Sequence, residues 1–384
     1  MIEWNSEQRE LLAGLASWCE ALSTDHVERD ATGAFSHDKW KLVQDSGLLR
    51  LPFDEQWGGL GQDLPTTMYL LQGLGRGCRD GGLGFSVSTH IVSVGIPLQR
   101  YGSDELKQRY LPLVCDGEPI CAHAISEPDS GSDALNMRTT ATRDGDDYVL
   151  NGSKTFVSNG PVAGLFVVYA KTHPAGGPFG TTAFLVERDT PGFTQGKPIP
   201  KMGLRTSPLC ELYFDDCRVP ASNVIGRPGG GFRVFDHVMK WEVLCSFAVS
   251  LGEMEHRLDQ CVQYARDRVQ FGKPIGGYQA VSHRIADMKI GIETARKWLY
   301  DTAVRVTNGE DVAVDMAITK LVASEQNLAS ALAAVQIHGG NGYMAEYGLE
   351  KDLRGAVAGT IYSGTSEIQR NRVAALLGLG DRER

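Results

Sequence analysis

Three stretches in the C-terminal part of the chain, residues 232–268, 278–307 and 311–338, keep an apolar period of three to four residues over lengths that only long helices sustain. Helices that long bury their stripes chiefly against one another, so the chain must contain a helical bundle. Pro228-Gly229-Gly230-Gly231 bounds the first of them, and a shorter amphipathic segment follows Thr365. Shorter stripes precede residue 118: Leu11, Leu12, Leu15, Trp18, Cys19 and Leu22, then Trp40, Leu42, Val43 and Leu48, then Met68 to Leu74 and Glu105 to Val114. Gly58, Gly59, Gly61, Gly81, Gly82 and Gly84 are expected to punctuate these helices.

Between the helical regions the texture is β. Tyr148-Val149-Leu150-Asn151-Gly152 ends in an Asn-Gly pair, a strong hairpin signal, so Lys154 to Ser158 is expected to return as the partner strand. Leu165 to Ala170, Thr181 to Val186 and Glu211 to Phe214 are further short β-rich runs, with Pro/Gly loops such as Pro174 to Gly180 between them. The order is α, then β, then α: an N-terminal helical domain over 1–118, a middle β domain over 119–225 and a C-terminal helical domain over 226–384. Helices and strands that segregate in this way indicate the α+β class rather than a doubly wound sheet. No Gly-x-Gly-x-x-Gly links a strand to a helix, and no Walker loop is present.

Composition removes several function classes. With 47 acidic against 38 basic residues the net charge is −9, the wrong sign for a general nucleic-acid binder. A hydrophobic share of 42% is too high for disorder, and no run of about 18 apolar residues suggests a membrane span. The eight cysteines are scattered, with no Cys-x-x-Cys, so neither a zinc knuckle nor a redox dithiol is expected, and no metal site. Free thiols, and first residues without the basic and apolar regions of a signal peptide, lead to the expectation of a cytoplasmic protein.

Four segments stand out from this scaffold. Ala124-Ile125-Ser126-Glu127-Pro128-Asp129-Ser130-Gly131-Ser132-Asp133 gathers hydroxyls and carboxylates at the helix-to-strand transition; it reads either as a ligand loop or as a capped turn. Arg266-Asp267-Arg268-Val269-Gln270-Phe271-Gly272-Lys273, with Gln279 beyond, either complements a helix dipole or holds a phosphate. Gln336-Ile337-His338-Gly339-Gly340-Asn341-Gly342 reads as a helix C-cap, with His338 a hydrogen-bonded core residue. Tyr362-Ser363-Gly364-Thr365-Ser366-Glu367 has the form of a helix start.

Together and in this order, the four segments resemble the signatures of the acyl-CoA dehydrogenase family, over essentially the whole chain. The resemblance implies an acyl-CoA dehydrogenase-like fold, with the middle domain β-barrel-like and the C-terminal domain a four-helix bundle, that binds FAD as a homotetramer. Carried over by position, His123, Ile125, Ser126, Phe156 and Ser158 would line the flavin, and Ser132 would bond the pantetheine arm. Arg268, Phe271 and Gln279, with Gln336, Gly339 and Gly340 of a neighbouring subunit, would hold the dinucleotide part, and Thr365 and Glu367 would reach the cofactor from the other side. Trp241, Tyr362 and Gly364 would contact the substrate.

The family's reaction takes an α-proton from an acyl thioester while a hydride leaves the β-carbon. Many members carry the catalytic glutamate between Tyr and Gly of the Tyr-x-Gly-Thr run, where this chain has Ser363. A neutral hydroxyl cannot be the base, so either the protein is inactive or the carboxylate comes from elsewhere. Members similar to isovaleryl-CoA dehydrogenase carry it on a bundle helix, at the position of Glu242 in Lys240-Trp241-Glu242-Val243-Leu244. Glu242 is the expected base, and the Ser363 backbone N–H an oxyanion donor to the thioester carbonyl. Val243 stands where the family often has Arg.

The Trp-Glu helix motif with Tyr-Ser-Gly-Thr is most similar to the prolyl-carrier-protein dehydrogenases of secondary metabolism. That implies a prolyl, aminoacyl or short acyl thioester on a carrier protein, with a short- or branched-chain acyl-CoA as the alternative and electron-transfer flavoprotein or oxygen as the electron acceptor. A flavin monooxygenase or a silent thioester-binding relative on the same fold are the readings from other classes.

Overall fold

In a computed structural model, which describes residues 2–173 and 177–379, the order α, β, α is found. The first three residues of the Pro174–Gly180 loop expected from sequence lie outside the described residues. Helices α1 (Ser6–Ser23), α2 (His26–Thr32), α3 (His37–Asp45), α4 (Leu64–Gly77), α5 (Gly81–His90), α6 (Ile96–Tyr101) and α7 (Asp104–Asp116) build the N-terminal region. Asn5 and Gln8 form a capping box on α1, and Ser36, Asp63, Asp80 and Ser103 cap α3, α4, α5 and α7. Each cap satisfies an amide that the helix cannot.

Gly81, Gly82 and Gly84 do not break the chain here. They lie in α5, which continues through a π turn at Ile91–Gly95 into α6. Glycine serves close approach instead: a Cβ on Gly82 would lie 2.1 Å from the Thr206 hydroxyl. The stretch Gly81–Tyr101 is long and apolar enough to cross a membrane, yet 89% of it is buried within the protein, so it is a core helix.

Eight strands form one sheet: β1 (Cys121–Ala124), β2 (Thr140–Asp144), β3 (Asp147–Ser158), β4 (Leu165–Lys171), β5 (Thr181–Glu187), β6 (Phe193–Gln195), β7 (Leu209–Pro220) and β8 (Val224–Ile225). Their order is β6-β7-β3-β2-β4-β5-β8, with β1 parallel to β4. The Asn-Gly hairpin expected at 151–152 is not there: β3 runs straight through it, and the chain turns earlier, between Asp144 and Asp147, with Gly145 at φ +61°. Asn151-Gly152 marks a bulge instead, where the pairing of β3 with β7 shifts register. Gly152 sits at φ +142°, and a Cβ there would meet Thr139 at 2.7 Å, so only glycine fits.

Alternation along the strands divides the sheet's two faces. Ala122, Ala124, Phe166, Val168, Phe184 and Val186 pack in a core of the sheet's own, whereas Cys121, Leu165, Val167, Tyr169 and Leu185 join the large core shared with the helices. The C-terminal region comprises α8 (Gly231–Asp267), a small hairpin of β9 (Val269–Gln270) and β10 (Lys273–Pro274), α9 (Gln279–Thr307), α10 (Ala313–His338), α11 (Gly340–Tyr343), α12 (Leu349–Gly359) and α13 (Ser366–Leu376). The 37 residues of α8 give it a length of about 55 Å, and one end packs against the sheet while the other carries the β9–β10 hairpin.

Candidate active site

The N-terminal third of α8, the strand β1 and the turn between α12 and α13 meet at one point. Glu242 projects there from α8, flanked in sequence by Trp241, which packs on the large core, and by Val243, which is buried in it. The Ser363 hydroxyl donates to Glu242 Oε1. On the other side, His123 Nε2 of β1 lies 2.9 Å from Glu242 Oε2. That contact is at ion-pair distance but outside hydrogen-bond alignment, so Glu242 Oε2 is buried without a hydrogen-bond partner; His123 Nδ1, the ring's other nitrogen, is also buried and unpartnered. Burial raises the pKa of Glu242, but the His123 imidazole and the Ser363 hydroxyl outweigh it and bring the carboxyl below its ordinary value. The result is a desolvated carboxylate with one oxygen held and one left free.

The turn that supplies Ser363 is itself pinned. Ser363 and Gly364 both have positive φ, +55° and +89°, and Gln369 Nε2 donates to both their carbonyls. Thr365 caps α13, its hydroxyl accepting from Ile368 N, and Glu367 is exposed in the first turn. Tyr362 is wedged between Phe247 and Phe85, with ring centroids 5.4 Å and 4.9 Å away. The Ser363 N–H has no hydrogen-bond partner among the described residues, which leaves it free as a donor.

The loop after β1 is fixed by a buried ion pair whose role the sequence did not disclose. Lys154 Nζ, fully buried in β3, donates to Ile125 O at 3.1 Å and to Glu127 Oε1 at 2.8 Å. Glu127 also accepts from the Thr139 amide and hydroxyl. Thr155 N donates to Ser126 O, so Ile125 and Ser126 lie beside the next β3 residue, Phe156. Phe156 sits at φ +55° on a bulge and is 66% exposed, a poor place for a phenyl group unless something flat covers it. Ser158 is half-buried two residues on, and Asn159 ties it to β1 by donating to Cys121 O at 3.2 Å. His90 steadies β1 from α5: its Nδ1 accepts from Cys121 N, so its Nε2–H donates to Val114 O. Ser132 lies on the exposed loop beyond Ser130, with no hydrogen bond among the described residues.

The remaining expected residues lie elsewhere. Arg268, Phe271 and Gln279 are exposed at the far end of α8, Phe271 at 95% exposure and φ +50°. Gln336, Gly339 and Gly340 share that end: Tyr264 stacks on His338, and Asn341 donates to the Tyr264 hydroxyl. His338 is a buried core residue bonded to Ala334 O, as its sequence context suggested. The 26 residues from Glu242 to Arg268 span about 39 Å of helix. These six residues therefore form one group, separate within a chain from His123, Ile125, Ser126, Phe156, Ser158, Glu242 and Ser363.

The first group suits a flat, polar heterocycle with a thioester beside it: an exposed phenyl, short hydroxyls, a free amide and three orphaned buried polar atoms, the third being the Tyr169 hydroxyl. The second suits a dinucleotide tail, a guanidinium with an aromatic ring and a glycine pair that has nothing within 4 Å of either Cβ position.

Comparison with known proteins agrees with this geometry. The family models for the acyl-CoA dehydrogenase N-terminal, middle and C-terminal domains match residues 5–118, 122–217 and 229–378. An L-prolyl-[peptidyl-carrier protein] dehydrogenase of Serratia sp. is 40% identical over 361 residues, 94% of each chain. Among solved structures, the prolyl acyl carrier protein oxidase AnaB matches with a TM-score of 0.96 and 41% identity over 98% of this chain and 100% of its own. PigA with FAD and proline matches with a TM-score of 0.95 and 38% identity over 99% of both chains.

Proposed function

Because the chain belongs to the acyl-CoA dehydrogenase family, we propose that it is an FAD-dependent dehydrogenase acting on a prolyl or other short aminoacyl thioester tethered to a carrier protein. The observation that carries this reading is the contact between Ser363 and Glu242. Ser363 occupies the position where other members keep the base, and α8 delivers a carboxylate to that same position. FAD, when bound, would supply the two-electron acceptor for the β-hydride, with electron-transfer flavoprotein or oxygen as the onward acceptor.

The chain's own groups account for the rest of the reaction. Ile125, Ser126, Phe156 and Ser158 would hold the flavin, with Thr365 and Glu367 on the other side and Ser132 on the pantetheine arm; His123, expected from the resemblance to line the flavin too, has its ring edge turned to Glu242. The free Ser363 N–H would polarise the thioester carbonyl, which makes the α-hydrogen acidic. Glu242 Oε2, without a hydrogen-bond partner, takes that proton. Trp241, Tyr362 and Gly364 would shape the acyl space, with Tyr362 closing it against Phe85 and Phe247.

The 39 Å separation supports a homo-oligomer, taken as the family's tetramer; because Arg268, Phe271 and Gln279 share one end with Gln336, Gly339 and Gly340, a neighbouring copy would supply all six, rather than the last three alone as expected from sequence. Exposed Phe271, Tyr343 and Met344 around that end are suited to burial against a neighbour. A cytoplasmic location is proposed from the eight cysteines, all buried and unpaired.

The deciding experiment is anaerobic mixing of the FAD-loaded protein with prolyl groups on a carrier protein and with prolyl, butyryl and isovaleryl groups on CoA. Bleaching of the flavin by the carrier-bound prolyl group, reduced at least 1,000-fold in Glu242→Gln, is expected (about 4 kcal/mol of transition-state stabilisation). Bleaching by acyl-CoA alone would assign the protein to thioester catabolism, and no bleaching at all would overturn dehydrogenation of this panel.

A further inference from the structure

His123 does more than lie near the site. The odd residues of β1 and β4 face the helices, and on that face His123 and Tyr169 flank the α8 surface that carries Glu242. Both side chains of the pair are nearly enclosed: His123 is 15% exposed and Glu242 13%. The two carboxylate oxygens meet different surroundings. Oε1 receives the Ser363 hydroxyl, whereas Oε2 faces His123 Nε2 at 2.9 Å and has no other polar neighbour in bonding range.

We propose, resting on the reading of Glu242 as the base, that His123 is its positioning residue: the imidazole edge facing Oε2 holds Glu242 ionised in a closed pocket and aims that oxygen into the substrate space. A carboxylate taken out of water and left with one hydroxyl donor would favour its neutral form. A neutral carboxylic acid cannot take the α-proton. A ring that faces Oε2 without an aligned hydrogen bond supplies the electrostatic stabilisation and still leaves the lone pair available for chemistry. Burial and His123 thus act in opposite directions on Glu242, and the depressed pKa agrees with His123 and Ser363 prevailing.

The other titratable groups around the carboxylate do not replace it. From β4 the Tyr169 hydroxyl is buried without a partner, and burial followed by the Glu242 charge pushes its pKa up, so it stays neutral. From the α12–α13 turn come the Ser363 and Tyr362 hydroxyls, and burial raises the Tyr362 pKa as well. On α8 itself, Lys240 is paired with Asp236 at 2.7 Å, and burial pulls His237 down to about 4. His123 is the polar nitrogen within bonding distance of Oε2.

The test uses His123→Leu and His123→Gln. Infrared difference titration of the full chain, with Glu242→Gln in each background to isolate the band, reads the Glu242 carboxyl directly. His123→Leu is expected to move its titration up by at least one pH unit, and His123→Gln, which keeps an N–H donor, to move it less. The acid limb of thioester-driven bleaching should shift in parallel, with FAD content unchanged. An unshifted carboxyl band in His123→Leu overturns the proposal, as does loss of FAD in both variants, which would place the ring on the flavin instead. The infrared reading needs no substrate, so it stands apart from whether any thioester bleaches the flavin.

Discussion

At the scale of single residues, the site rests on an exchange of roles between two positions that touch. Because Ser363 Oγ reaches Glu242 Oε1, a carboxylate placed at either position reaches the same spot. Ser363→Glu in a Glu242→Gln background is therefore expected to recover at least tenfold of the lost bleaching rate, measured by anaerobic stopped flow. Ser363→Glu alone is expected to lower activity, since two carboxylates in one dry pocket share a proton and one of them stops acting as a base. Neither His123 nor Tyr169 could be assigned to Glu242 from sequence, because a contact across β1, β4 and α8 leaves no local pattern.

At the scale of elements, the long helices 232–268, 278–307 and 311–338 were legible to within two residues, since amphipathic periods of that length have no competing reading. Two local signals failed for the same reason, that tertiary contact overrode local chemistry. Asn151-Gly152 has turn chemistry, but its strand must pass Thr139 so closely that the glycine is spent on a bulge. The glycines of α5 look like breakers and act as spacers. The motif residues around Ser126 and Phe156 were named by resemblance, but what fixes them, the Lys154–Glu127 pair, sits inside an apolar strand pattern where a lysine reads as exposed. Breaking one side of a buried pair leaves an uncompensated charge, so Lys154→Met is expected to cost about 3–5 kcal/mol in chemical denaturation. The Glu127→Gln/Lys154→Met double variant should recover part of it, with FAD affinity remaining low because the loop after β1 has lost its anchor.

At the scale of the whole molecule, pH acts on stability through buried imidazoles. Burial lowers His26, His90, His237 and His256 to about 4, from about 6.5 when unfolded. Between those values the unfolded chain binds more protons, so stability falls as pH falls from 6.5 towards 4. Fully buried His90 contributes up to about 3 kcal/mol, and the partly exposed three contribute less. Glu253 opposes this: burial raises it to about 7, so its contribution is lost as pH rises from 4.5 to 7. These imidazoles outweigh Glu253, and His338, also lowered by burial, adds to them, so Tm from calorimetry should drop on acidification through this range, and more shallowly in His90→Gln. The 39 Å between the two halves of the proposed cofactor cradle has a genetic consequence. Glu242→Gln and Arg268→Ala chains, each disabled when made alone, are damaged at opposite ends. Where two such chains meet reciprocally in the proposed oligomer, one centre inherits both lesions and the other inherits neither, so a cell expressing both defective alleles is expected to regain an activity that neither allele encodes.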